Sequence, residues 1–209
     1  VGFSVILILI LLYSVAIFRI TDAGLYHAAT IKWIEEFPVI PGLGNLHSRL
    51  AFNSFWFISS AIFSLSFLNV GPFHALDGWF LLVLCTYCLQ KIGDYPEKRL
   101  TFSKIISFLI IVFSLLFPFP FISSASPDVP TVGSVWLSLL LFIELFESDI
   151  PLYKNIKSYI LILVIFFSIT VKLSSIPLLL IPLYIFIVGF YSGNWKQLIY
   201  LFLPPLILL

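Results

Sequence analysis

Residues 54–70, SFWFISSAIFSLSFLNV, decide how the rest of the chain is arranged. The run is apolar and only slightly shorter than the roughly 20 residues that a membrane-crossing helix needs. Counted as a span, it reverses the side of every loop that follows. Asp128 then falls on the opposite side from Asp22, and residues 91–99, KIGDYPEKR, face outward. Counted as an interfacial or re-entrant helix, it leaves those basic residues on the cytoplasmic side, where Lys and Arg concentrate in membrane proteins. The charge distribution favours the second reading.

Composition places the chain in a membrane. Of its 209 residues 61% are hydrophobic and 10% charged, with a mean hydropathy of +1.13; soluble domains carry roughly 25% charged residues. The apolar runs are long and uninterrupted, which argues against the roughly ten-residue alternating segments of an outer-membrane barrel. The expected fold is all-α, a polytopic transmembrane helical bundle forming one domain over residues 1–209. A net charge of +1 says nothing about partners, and no basic block points to nucleic acid, which is not expected as one. Cys85 and Cys88 form a C-x-x-C spacing inside an apolar run with no second pair, so they read as buried small residues rather than a redox or metal site. The chain has no Met and begins and ends inside apolar runs, as a fragment of a longer protein would.

Working outward from residues 54–70, the first span is 1–18, followed by Arg19 and a polar island, residues 21–53. The island holds two of the three histidines (His27 and His47) and three of the ten acidic residues (Asp22, Glu35 and Glu36). Leu25, Ala29, Trp33 and Phe37 recur every fourth residue, off the positions of Lys32, Glu35 and Glu36, so an amphipathic helix lying in the interface is expected. Pro38 and Pro41 end it, and Gly42 and Gly44 make a turn region. Residues 19–70 are thus read as an outer loop with interfacial helices. Further spans follow at about 72–90, 102–122 (its outer end loosened by Pro118 and Pro120), 132–146, 158–171 and 176–190, with a seventh from near Leu198. On this map seven of the eleven Lys and Arg lie inside: Lys91, Lys98, Arg99, Lys104, Lys154, Lys157 and Lys196.

The outer face then collects Asp22, His27, His47, Arg49, Asp128 and Lys172. Each has a plain structural reading. Asp22 and Asp128 can cap helices, Arg49 can contact lipid headgroups, Lys172 can snorkel from a span end, and an interfacial histidine is often structural. Together they suit a reaction at a phosphate-linked leaving group. A carboxylate can take a proton from an attacking hydroxyl, or a carboxylate pair can hold a divalent cation such as Mg or Mn. Arg and Lys can stabilise charge on a departing phosphate. Glu144 is the one clear ionisable residue within a span, and such residues often mark a transport pathway.

The order of these elements resembles the GT-C superfamily of polytopic glycosyltransferases, which use sugars carried on polyprenyl phosphates. The resemblance is to the branch with protein O-mannosyltransferases and aminoarabinose transferases. Thr21-Asp22-Ala23-Gly24-Leu25-Tyr26-His27 matches its acidic motif after span one. Ser126-Pro127-Asp128-Val129-Pro130 matches a Pro-Asp motif opening a later outer loop, and Val171-Lys172-Leu173-Ser174 a Lys after a subsequent span. Asp22 through His27, with Gly42-Leu43-Gly44-Asn45-Leu46-His47-Ser48-Arg49, is also similar to an uncharacterised family of bacterial multi-pass proteins.

The resemblance implies the N-terminal module of a glycosyltransferase in the bacterial inner membrane. It would move a sugar from a polyprenyl-phosphate donor to an acceptor on the periplasmic side. Asp22 and Asp128 would be catalytic or metal-binding, and His27, His47, Arg49 and Lys172 would bind substrate. Many superfamily members carry two adjacent acidic residues in the first loop; here Ala23 follows Asp22, which leaves a metal-free, single-base mechanism open. The alternatives are a transporter or lipid flippase, and a non-catalytic relative that binds a lipid carrier.

Overall fold

The computed structural model describes residues 2–14, 21–51, 54–64, 75–93, 100–116 and 121–207. Arg19, residues 65–70, Lys98, Arg99, Pro118 and Pro120, all used in the topology above, lie outside the described residues. Within them the chain is all-α, with no strand. The helices are α1 (Gly2–Ser14), α2 (Ala28–Glu36), α3 (Leu43–Leu46), α4 (Phe55–Ile62) and α5 (Leu76–Gly93), then α6 (Phe102–Leu116), α7 (Asp128–Phe146), α8 (Ile156–Val171), α9 (Leu180–Tyr191) and α10 (Trp195–Ile207). A π-helical turn, Ala23–His27, leads directly into α2, and 3-10 turns cover Ser48–Ala51, Leu152–Lys154 and Leu173–Leu179.

The bundle is centred on α7. One side of it joins a core with α1, α5 and α6, built on Ile10, Leu81, Leu84, Ile110 and Leu140. The other joins a second core with α8, α9 and α10, built on Leu141, Leu145, Leu161, Ile165 and Ile185. Small residues let these helices approach closely. Ser103 and Ser107 on α6, Ser134 and Ser138 on α7, and Ser158 and Ser168 on α8 are all fully buried. Cys85 and Cys88 are buried free thiols on α5, as read from their apolar setting.

Two 19-residue stretches, Asp128–Phe146 and Leu173–Tyr191, are long and apolar enough to cross a bilayer, and Gly2–Ser14, Phe102–Leu116 and Ile156–Val171 are shorter apolar helices. The described part of residues 54–70 is α4 and the turn after it. Eight helical residues rise about 12 Å, far less than the ~30 Å hydrocarbon core of a bilayer. Ser54 caps α4, its Oγ accepting from Trp56 N (3.3 Å), and the same hydroxyl donates to the Val171 carbonyl at the end of α8 (2.8 Å). Trp56, Phe57 and Ser60 form the buried face.

Several expected boundaries shift. α7 starts at Asp128 rather than Val132, because Pro130 sits in the first turn, where a missing N–H costs nothing. Phe121–Ala125 is a turn instead of the end of a span. α10 begins at Trp195, three residues before the expected Leu198. On the helix of the polar island, the face packed against protein is Ala23, His27, Thr30 and Ile31. Of the stripe expected to lie in the interface, Leu25 is 49% and Phe37 47% exposed, and Ala29 and Trp33 are half-buried.

Close helix approach also operates between α1 and α5. A Cβ on Gly78 would overlap Ser14 Oγ and come within 3.1 Å of Ile10, and Ser14 is itself tied to the Ile10 carbonyl at 2.8 Å. Gly78→Val is therefore expected to destabilise the protein by about 1–3 kcal/mol through overpacking, read as a lowered midpoint of thermal unfolding.

Candidate functional site

The polar island and the loop before α7 meet at one end of the bundle. Asp22 has helical backbone angles (φ −64°, ψ −31°) and makes no side-chain capping bond, so the capping reading fails. Its Oδ1 accepts from Arg49 Nη1 instead. Directly after it the backbone widens into the π-turn, where Ala28 N–H bonds the Ala23 carbonyl five residues back. Such turns inside helices are frequent at functional sites. Ala23 and His27 point inward from this turn, 2% and 3% exposed.

Arg49 reaches Asp22 from the 3-10 turn Ser48–Ala51. The approach to that turn needs Gly42, whose φ of +85° is a left-handed conformation that glycine adopts without steric cost. His47 is exposed, and its Nδ1 accepts from Arg49 N (3.2 Å), so it shapes the turn that carries Arg49. The guanidinium carbon also sits 5.4 Å from the centre of the Tyr26 ring, within cation–π range.

The second carboxylate, Asp128, lies in the first turn of α7, with its backbone N–H bonded to Ser126 Oγ (3.2 Å). Asp128 Oδ1 accepts from Lys172 Nζ, at the C-terminus of α8. The side chains of both ion pairs are between 41% and 50% exposed. At that exposure a pair contributes at most about 1 kcal/mol to stability, so folding alone does not require them.

The loop between these pairs is held from two sides. His27 Nδ1 donates to the Ser124 carbonyl (3.2 Å). Asp77, fully buried near the start of α5, accepts from Ser126 N with Oδ2 (3.0 Å) and from Trp56 Nε1 with Oδ1 (2.7 Å). Ala125, between the two anchored residues, has φ +49°. That is uncommon for a residue with a Cβ, and such strain collects at functional sites. Its methyl group packs into a small core with Ile31 and Phe57.

Tyr26 and His27 sit between the ion pairs, their ring centres 4.3 Å apart in an edge-on contact. Burial lowers the His27 pKa below its ordinary 6.5, against the Ser124 bond and the charges of Asp22 and Asp128, which raise it; Arg49 lowers it further. Burial and the Asp22 and Asp128 charges raise the Tyr26 pKa, opposed by Arg49. Both carboxylates and Arg49 thus act on the same two rings.

Of the residues expected at the site, Asp22 meets Arg49, Asp128 meets Lys172, and His27 lies within reach of both pairs; His47 acts through the backbone of Arg49. Among the described residues no group of three or more His, Cys, Asp or Glu side chains is arranged to hold a metal ion. Each Asp faces a cation, Asp22 with Arg49 and Asp128 with Lys172, so the quartet carries no net negative charge.

Asp77, Trp56 and Tyr26 were not singled out from the sequence. Glu144 is the ionisable residue that the sequence places within a span, yet Asp77 stands in the apolar run 72–90 and carries the same signal. Glu144 lies sixteen residues along α7 from Asp128, about 24 Å away. It is buried, accepting from Tyr87 Oη (2.9 Å) and Lys157 Nζ, which ties α7 to α5 and α8.

The family model for a domain of unknown function, DUF8201, matches residues 1–209. The chain belongs to this family. No curated protein and no solved structure matches it.

The lowered His27 pKa has a stability consequence. Unfolded, the ring takes a proton near pH 6.5; folded, it does so only at lower pH. Its contribution is complete above pH 6.5 and is lost as pH falls from there toward the folded value. The stability of the solubilised protein should therefore drop with acidification below 6.5. His27→Asn, whose amide can still donate to Ser124, should flatten that part of the difference curve in denaturation measured at each pH.

Proposed function

We propose that this DUF8201 chain is the membrane module of a GT-C-like glycosyltransferase, with a polytopic bundle and its site on the periplasmic side of a bacterial inner membrane. Two 19-residue apolar stretches, three shorter apolar helices and an apolar exterior support the polytopic reading. The observation that carries the functional reading is the pair of Asp–cation contacts, Asp22–Arg49 and Asp128–Lys172, on either side of Tyr26 and His27.

The donor in such a reaction is a phosphodiester, negatively charged before transfer and more so as the sugar leaves. Arg49 and Lys172 are half exposed and supply a planar fork and a point charge for that phosphate. Asp22 and Asp128 hold the two cations in place until the phosphate arrives, and such prepositioned charge stabilises the developing anion without reorganisation. Exposed Leu25 and Phe37 on the island helix give a lipid-carried substrate an apolar surface. The transport reading leans on Glu144, whose charge Lys157 already neutralises.

The test is sugar transfer from a panel of radiolabelled polyprenyl-phosphate hexoses by membranes containing the full-length protein. Asp22→Asn and Arg49→Ala should each lower transfer by about 100-fold or more with membrane insertion unchanged. Wild-type rates in both variants, or no transfer by the wild type from any donor, would sink the reading.

A further inference from the structure

We infer that His27 is the general base of this transfer, accepting the proton of the acceptor hydroxyl on Nε2. The inference rests on the transferase reading and places the proton within it. The sequence pointed to Asp22 for that task, but Asp22 and Asp128 each face a cation in the folded chain. The His27 ring is differently placed. The Ser124 carbonyl can only accept, so Nδ1 must carry the hydrogen of that bond, which leaves the lone pair of the neutral ring on Nε2. Nε2 has no partner among the described residues and, unlike the enclosed hydroxyls of Ser60 and Ser134, is not sealed from the surface.

Packing fixes the ring and the charges suit the role. Tyr26 and Phe57 flank it with ring centres 4.3 and 5.4 Å away. Burial keeps the imidazole neutral near pH 7, the form that can take a proton. The charges of Asp22 and Asp128 favour the imidazolium once it forms, Arg49 opposes it, and Lys172 is engaged by Asp128. Tyr26 keeps its own proton, since its pKa is raised. A backbone carbonyl that fixes the tautomer, with carboxylates that stabilise the cation, is an arrangement that makes histidine an effective base.

The step balances without a metal. The acceptor oxygen forms a bond to the anomeric carbon of the sugar as the bond from that carbon to the phosphate oxygen breaks. The phosphate leaves with the electron pair as polyprenyl phosphate, held by Arg49 and Lys172. The hydroxyl proton moves to His27 Nε2 and then to solvent.

The experiment compares wild type with His27→Asn in the full-length protein. It measures kcat for transfer from the polyprenyl-phosphate hexose panel, and separately the Kd for polyprenyl phosphate alone. Asparagine keeps a donor for Ser124 and removes Nε2. The expected result is a fall in kcat of about 100-fold or more, the usual worth of a general base, with Kd within about twofold of wild type. An unchanged kcat, or a Kd that weakens in step with kcat, overturns the assignment and leaves the transferase reading standing. Absence of wild-type transfer removes both. If the variant does not fold, the wild-type pH profile decides: kcat must fall on an acid limb with a midpoint below 6.5, and a flat profile from about pH 5 to 8 overturns the assignment.

Discussion

A carboxylate with no exposure to solvent has to find donors inside the protein, since burying it without them costs several kcal/mol. Asp77 finds two, one from each of the pieces that must be brought together: the indole of Trp56 on α4 and the backbone N–H of Ser126 in the loop before α7. That single side chain joins the short helix after the polar island to the turn that presents Asp128. Ser54 adds a second tie, from the start of α4 to the end of α8, next to Lys172. The elements that carry the two ion pairs are therefore fixed relative to one another by buried polar bonds beneath them, while the pairs themselves stay half exposed.

The same logic explains the strained loop. Ala125 holds a positive φ that costs about 1–3 kcal/mol in isolation. Its neighbours on both sides are anchored, Ser124 by His27 and Ser126 by Asp77, and its methyl group is packed against Ile31 and Phe57. The backbone has no room to relax, so the strain is kept where it orients Asp128. The π-turn at Ala23–His27 has the corresponding part on the other side. It leaves Asp22 free to meet Arg49 while turning Ala23 and His27 inward.

These supports divide the charged residues into two kinds. Asp77 and Glu144 are buried and partnered within the bundle, and they join helices. Asp22, Asp128, Arg49 and Lys172 are half exposed and paired in ways that contribute little to stability. Groups of the second kind come from four separate elements around two aromatic rings, and in the proposed reading the two cations among them receive the donor phosphate. The strained loop and the π-turn lie beside them.

Composition and periodicity by themselves determined that the chain is helical and that Cys85 and Cys88 are buried. They also marked Asp22, His27, Arg49, Asp128 and Lys172 as the polar residues worth following. Each of these rests on a local property, hydropathy or the rarity of charge in an apolar chain, and local properties are written in the sequence. The partners were decided only in three dimensions. Asp22 lies 27 residues from Arg49 and Asp128 lies 44 from Lys172, and no periodicity links such positions. Whether an aspartate caps a helix or pairs with a cation depends on which side chain the packing delivers to it. The side of the island helix that faces protein, with Ala23, His27, Thr30 and Ile31, was likewise decided by tertiary contact with α4. Asp77 passed unnoticed for the same reason: its signal was a single acidic residue, and its meaning lay in the two donors that folding placed against it.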